Sequence, residues 1–121
     1  MNCIDDCVFC NVSAEDYIAE NELAYAVWDK YPVNMGHALV ITKKHYMDFF
    51  HIPHEEMSAI RRLADEVKLI IDEKFSPDGY NVGANVGKAA GQTVFHFHFH
   101  IIPRYDNDNL WRPNEILIED L

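Results

Sequence analysis

Residues 93–105 read TVFHFHFHIIPRY, three histidines at every second position with a phenylalanine before each. Side chains alternate across a strand. A strand over 94–102 therefore sets Phe95, Phe97, Phe99 and Ile101 on one face and His96, His98 and His100 on the other. The first set is a core face. On the second, successive imidazoles stand roughly 7 Å apart, twice the rise per residue. Such a row is a solvated strand face, a set of metal ligands or a reaction centre, and chance seldom produces this alternation. His-x-His on a strand can hold a catalytic zinc that lowers the pKa of its bound water. A neutral imidazole can instead attack phosphorus and carry a covalent nucleotidyl group, because an ordinary pKa near 6.5 leaves much of it unprotonated at neutral pH.

The flanking residues favour attack on phosphorus. Gly91-Gln92-Thr93 supplies backbone N–H groups, an amide and a hydroxyl just upstream. Such donors suit the non-bridging oxygens of a phosphate, and Gly91 permits close backbone approach. Asn85, across the turn, adds another amide. A zinc hydrolase needs none of these.

Outward from this segment, the clearest helix covers 53–75. Met57, Ile60, Ala64, Val67, Ile71 and Phe75 recur at spacings of three and four, an apolar stripe for a core. Pro53 suits the first turn, Glu55 and Glu56 suit the positive end of the dipole, and Ser76-Pro77-Asp78-Gly79 stops the helix. Residues 23–29, 37–42 and 80–86 read as further strands, with turns at 31–36 and 87–91. Ser13-Ala14-Glu15-Asp16 reads as a capping box opening a short helix to about residue 19. One long helix among antiparallel strands predicts an α+β domain.

At 121 residues the chain is one domain, 1–121, able to bury its own core. Ten basic side chains stand against 20 acidic ones, a net charge of −10. A nucleic-acid polymer needs a cationic footprint and is excluded as partner, whereas a small anion held by a few aimed donors is not. No apolar run approaches the roughly 20 residues of a membrane span, and the acidic start lacks the pattern of a signal peptide. The expectation is a cytoplasmic protein with no membrane partner. Cys3, Cys7 and Cys10 are an odd cluster, unsuited to a disulfide framework, which leaves metal binding or packing.

From 91 to 104 the chain reads GQTVFHFHFHIIPR, which resembles the signature of the histidine triad (HIT) superfamily of nucleotide hydrolases and transferases. Val27-Trp28-Asp29, Gly36-His37-Ala38-Leu39-Val40-Ile41 and Lys43-Lys44-His45 fall where the family has its ribose-binding and second conserved strands. The resemblance spans about 7–105 and leaves 106–121 as a variable C-terminal tail. It implies a HIT-like fold, an antiparallel sheet of about five strands with one long helix and a short N-terminal helix.

The resemblance also implies a chemistry. His98 would be the nucleophile on the α-phosphorus of a nucleoside 5′-phosphoryl compound, a dinucleoside polyphosphate or a nucleoside phosphoramidate, and release a nucleoside monophosphate. His100, Thr93, Asn85 and the Gly91 amide would contact phosphate, with Gln92 near the bridging or attacking oxygen. His37 would support the triad. Asp29 would take both hydroxyls of the ribose, and Phe9, Val12 and Val27 would sandwich a purine base. Some bacterial members carry a structural zinc whose ligands match Cys7, Cys10, His45 and His96, with Cys3 as a rival ligand; no organic cofactor is implied. His51 and His54 receive no site role. The family pairs its protomers, so a homodimer is expected. Specificity for the leaving group would reside partly in the tail, with Trp111 and 115–121. Two other readings stay open: a nucleotide-binding regulatory module with little turnover, and a zinc-water hydrolase.

Overall fold

The computed structural model describes residues 4–110. Five strands, β1 (Ala19–Glu20), β2 (Ala24–Trp28), β3 (Ala38–Thr42), β4 (Gly79–Gly83) and β5 (His98–Arg104), form one antiparallel sheet in the order β1-β2-β3-β5-β4. The last strand in the chain thus lies between β3 and β4, which puts the histidines in the middle of the sheet. One helix, α1 (His54–Phe75), packs across it. Cys3, Trp111 and the expected specificity tail lie outside the described residues, and among those described no helix is long and apolar enough to cross a membrane.

The helix follows from its stripe. Ile60, Leu63, Val67 and Ile71 are buried with Ala59, and Met57, Ala64 and Phe75 pack at the margin. Each large apolar side chain so buried contributes about 1.5–3 kcal/mol. Against them stand Ala24, Ala26, Ala38, Val40, Phe97 and Ile101 from the sheet. Pro53, extended at ψ 149°, is the N-cap rather than a helical residue, and Ser76 ends the helix in a left-handed conformation, φ 49°.

The opposite face of the sheet is smaller and differently covered. Tyr25, Val27, Leu39 and Ile41 are buried there beneath Phe9, Val12 and Tyr17. In the β3–β5 register His98 stands opposite Ile41 and His100 opposite Leu39, so both histidines share this second face.

Three elements differ from the sequence expectation. The short N-terminal helix is only a 3₁₀ turn, Ala14–Asp16, preceded by another at Val8–Cys10. The Ser13 side chain makes no cap hydrogen bond; Tyr17 turns extended, its ring stacks on Tyr25 at 4.4 Å, and Ile18 N–H donates to the Ala26 carbonyl. Pairing with β2 outcompetes the local helix. Strand β4 begins at Gly79 and ends at Gly83, its last pairing being with His100. Strand β5 begins at His98 and runs to Arg104, not over 94–102. The Thr42 carbonyl accepts from the His96 ring, and Phe97 N–H turns to the Tyr46 carbonyl, so the chain leaves the ladder before His98. Phe97, Phe99 and Ile101 do face α1, but Phe95 lies on the bend and is 44% exposed.

Candidate active site

His98 sits at the first residue of β5, where the chain has just bent. Its Nδ1 lies 2.8 Å from the carbonyl oxygen of His96. A carbonyl only accepts, so Nδ1 carries the proton and Nε2 keeps its lone pair. The edge of the Phe9 ring meets the His98 ring at a centroid distance of 5.0 Å. One nitrogen is thus committed to the backbone and the other is left nucleophilic.

His100 and His37 form a second unit. Val33 N–H donates to His37 Nδ1 at 3.0 Å, so neutral His37 carries its proton on Nε2. That nitrogen lies 2.9 Å from His100 Nδ1 and 3.4 Å from Asp29 Oδ2. His100 Nδ1 therefore accepts, and His100 presents Nε2–H outward. Burial lowers the pKa of both rings; for His100, with His98 and His37 adding repulsion, it falls to about 4. Asp29, His37 and His100 are close enough for a metal, but His37 Nε2 is a donor here, which suits a proton relay and not a ligand set.

Cys7, Cys10, His45 and His96 converge on the other side of the bend, their ligand atoms all within 4.8 Å of one another. Cys7 Sγ lies 3.4 Å from His96 Nδ1, and Cys10 Sγ lies 3.5 Å from both His96 Nδ1 and His45 Nδ1. A tetrahedral zinc with bonds of about 2.3 Å to sulfur and 2.05 Å to nitrogen has sulfur–nitrogen edges of about 3.5 Å, so the four donors fit. His96 is fully buried and donates Nε2–H to the Thr42 carbonyl, 2.7 Å away, which leaves Nδ1 free to ligate. Burial holds its pKa down at about 4 and raises that of the Cys7 thiol. Two thiols and two imidazoles, closed on four sides, suit a structural zinc.

A HIT domain model matches residues 11–107. The chain belongs to the HIT family. Among its relatives, an uncharacterized HIT-like protein of Mycoplasma genitalium is 43% identical over 87% of this chain and 77% of its own. An adenosine 5′-monophosphoramidase of Schizosaccharomyces pombe is 38% identical over 81% of this chain and 74% of its own. A zinc-bound histidine triad family protein of Mycobacterium smegmatis superimposes with a TM-score of 0.78 at 36% identity, covering 88% of this chain and 80% of that one.

Two residues expected to meet the phosphate hold the loop in this HIT protein. Gln92 is buried, its Oε1 accepts from Gly87 N–H, and its Nε2 donates to the Met47 and Val94 carbonyls. The Gly91 N–H donates to the Lys88 carbonyl and closes a 3₁₀ turn. Gly91 also matters for shape. Its φ is +96°, and a Cβ there would lie 3.4 Å from the Asn85 amide nitrogen.

Asn85 lines a cavity of about 320 Å³ together with His37, His100 and Asn81. Thr93 is exposed at the loop. Asp29 is half-buried, one oxygen accepting from Tyr31 N–H and the other facing His37. Phe9, Val12 and Val27 share the sheet face of His98. His51 pairs with Asp48 at the entrance to α1, away from this chemistry. Val33 was not singled out from the sequence, because it acts through its backbone N–H and leaves no side-chain signal.

Proposed function

We propose that the protein is a nucleotide hydrolase that cleaves at the α-phosphorus of nucleoside 5′-phosphoryl compounds through a covalent intermediate on His98. The observation that carries this is the 2.8 Å contact between His98 Nδ1 and the His96 carbonyl, which puts the proton of the neutral ring on Nδ1 and leaves a lone pair on Nε2. Attack of Nε2 on phosphorus forms the N–P bond as the bond to the leaving group breaks, and that group departs with a proton taken from solvent. Water then adds to phosphorus and gives a proton back to solvent, the N–P bond breaks to return neutral His98, and a nucleoside monophosphate is released. His100 Nε2–H, the Thr93 hydroxyl and the Asn85 amide donate to the phosphoryl oxygens. Asp29 receives the ribose hydroxyls, and Phe9, Val12 and Val27 hold a purine.

Nucleoside phosphoramidates are the favoured substrates over dinucleoside polyphosphates. The kinship with an adenosine 5′-monophosphoramidase supports this, as do the apolar residues Val33, Ala84 and Ile102 that line the cavity beside His100. A zinc ion at Cys7, Cys10, His45 and His96 would staple the N-terminal turn to the triad bend. A zinc-water hydrolase is disfavoured, since this donor set leaves no position for water. The protein is cytoplasmic in this reading, where thiols stay reduced. It acts as a homodimer joined through β4 and α1, whose Val82 and Leu69 are exposed.

The test is AMP release from adenosine 5′-phosphoramidate and from diadenosine tetraphosphate, side by side, with His98→Ala as blank. His98-dependent release, faster from the phosphoramidate, is expected. Nucleotide binding without any release would leave a regulatory binding module.

A further inference from the structure

A polar cluster beyond the triad has no role in the chemistry so far. The Asp108 side chain is 5% exposed and that of Arg104 11%. Asp108 accepts from Arg104 Nε at 2.9 Å and Nη2 at 3.0 Å, and from the backbone N–H groups of Tyr105 and Leu110. It also accepts from Asn34 Nδ2 at 3.0 Å. The same Asn34 nitrogen reaches the Pro103 carbonyl, its Oδ1 accepts from Met35 N–H, and Tyr105 O–H donates to the Met35 carbonyl.

Three of these bonds, two from Asn34 Nδ2 and one to the Met35 carbonyl, tie residues 103–108 to the loop that carries the Val33 N–H. Its apolar side chains do not anchor it, for Tyr31, Val33 and Met35 are 88%, 55% and 64% exposed. We propose that Asn34 and Asp108 are positioning residues: they pin this loop so that Val33 N–H holds His37 in the tautomer that keeps Nε2–H of His100 turned to substrate.

The proton count shows why position matters. With Nδ1 of His37 occupied by Val33, its single proton sits on Nε2 and fills His100 Nδ1, 2.9 Å away. Withdraw the loop, and His37 can protonate at Nδ1. Two lone pairs would then face each other at that distance, so the proton of His100 moves to its Nδ1. Nε2 of His100 becomes an acceptor opposite a phosphoryl oxygen, and the two repel. Burial keeps both rings neutral, so no extra proton relieves the conflict. The catalytic consequence rests on the function proposed above, while the tautomers do not.

The test is long-range proton–nitrogen correlation NMR on the full chain labelled with ¹⁵N-histidine, alongside steady-state turnover of adenosine 5′-phosphoramidate. The wild type is expected to show Nε2–H at both His37 and His100. Asn34→Ala is expected to mix the tautomers at both rings and to lower kcat roughly tenfold or more with little change in KM, part of the 10²–10⁴ that a placed proton donor supplies. Asp108→Asn, which keeps the shape and one acceptor oxygen, should fall between, and it decides the matter if Asn34→Ala does not fold. Nδ1–H at His37 in the wild type, or unchanged tautomers in both variants, would overturn the proposal. Tautomers that respond as expected in a protein with no phosphoramidase activity would sink the proposed function and leave the tether standing.

Discussion

His96 accepts the Nδ1–H of His98 through its backbone carbonyl, while its own ring nitrogen faces Cys7 Sγ at 3.4 Å. One buried residue therefore fixes the tautomer of His98 with its main chain and joins a Cys/His cluster that could hold a metal with its side chain.

On the proposed mechanism, removing His98 removes the nucleophile but leaves Thr93, Asn85 and His100 to hold phosphate. His98→Ala should lose turnover by more than about a thousandfold, while AMP binding by calorimetry stays near wild type. Residual activity above a thousandth would count against the role.

Zinc at the cysteine turn would couple that turn to folding, because a metal bound only by the folded chain stabilises it. Cys7→Ser should lower zinc content and melting temperature much more than the turnover rate of the protein that remains folded. Elemental analysis with thermal melts checks this, and a wild-type protein purified without metal sinks it.

Tyr46 and Glu56 form a buried polar pair that no motif announces. The Tyr46 hydroxyl donates to Glu56 Oε2, burial first and the carboxylate second push its pKa up to about 12, and Oε1 of Glu56 has no partner among the described residues. Tyr46→Phe should cost about 1–3 kcal/mol by leaving the second oxygen unpaired as well. The double change Tyr46→Phe with Glu56→Leu should recover much of that, since apolar groups of similar shape replace a buried polar pair well. Urea unfolding of both single variants and the double closes the cycle. Strict additivity would mean the two side chains are not coupled.

Acid should loosen the fold through His100. Its folded pKa of about 4 lies below the ordinary 6.5, so the unfolded chain binds a proton that the folded chain refuses between these values. This contribution is fully present above about pH 6.5 and is lost as pH falls towards 4. His37, lowered by burial against the pull of Asp29, acts in the same direction. Melting temperature measured across this window should fall more steeply for the wild type than for His100→Asn, and parallel curves would contradict the assignment.

Much of this was legible because it is written in periodicity. The stripe from Met57 to Phe75 and the alternation from Phe97 to Ile101 each report a single buried face, and burial is what the fold maximises. The onset of β5 was not legible: Phe95 continues the pattern, yet the His96 ring and the Tyr46 carbonyl take the bonds that would extend the ladder. Local capping residues at Ser13 promised a helix, and the partner strand β2 prevailed. Gln92 reads as chemistry because an amide beside a triad suits phosphate; only the positions of Gly87, Met47 and Val94 reveal that it also fastens the loop. Val33, Asn34 and Asp108 act through backbone groups and contacts distant in sequence, for which a single sequence carries no signal.

The proposed mechanism carries a nucleotide on His98. The most direct measurement mixes the protein with adenosine 5′-phosphoramidate, quenches without acid during turnover, and maps the modified peptide by mass spectrometry. An adenylyl group on His98 in the wild type, absent in His98→Ala, is the result this account predicts. Turnover that proceeds unchanged in His98→Ala, with no nucleotide on the chain, would contradict it.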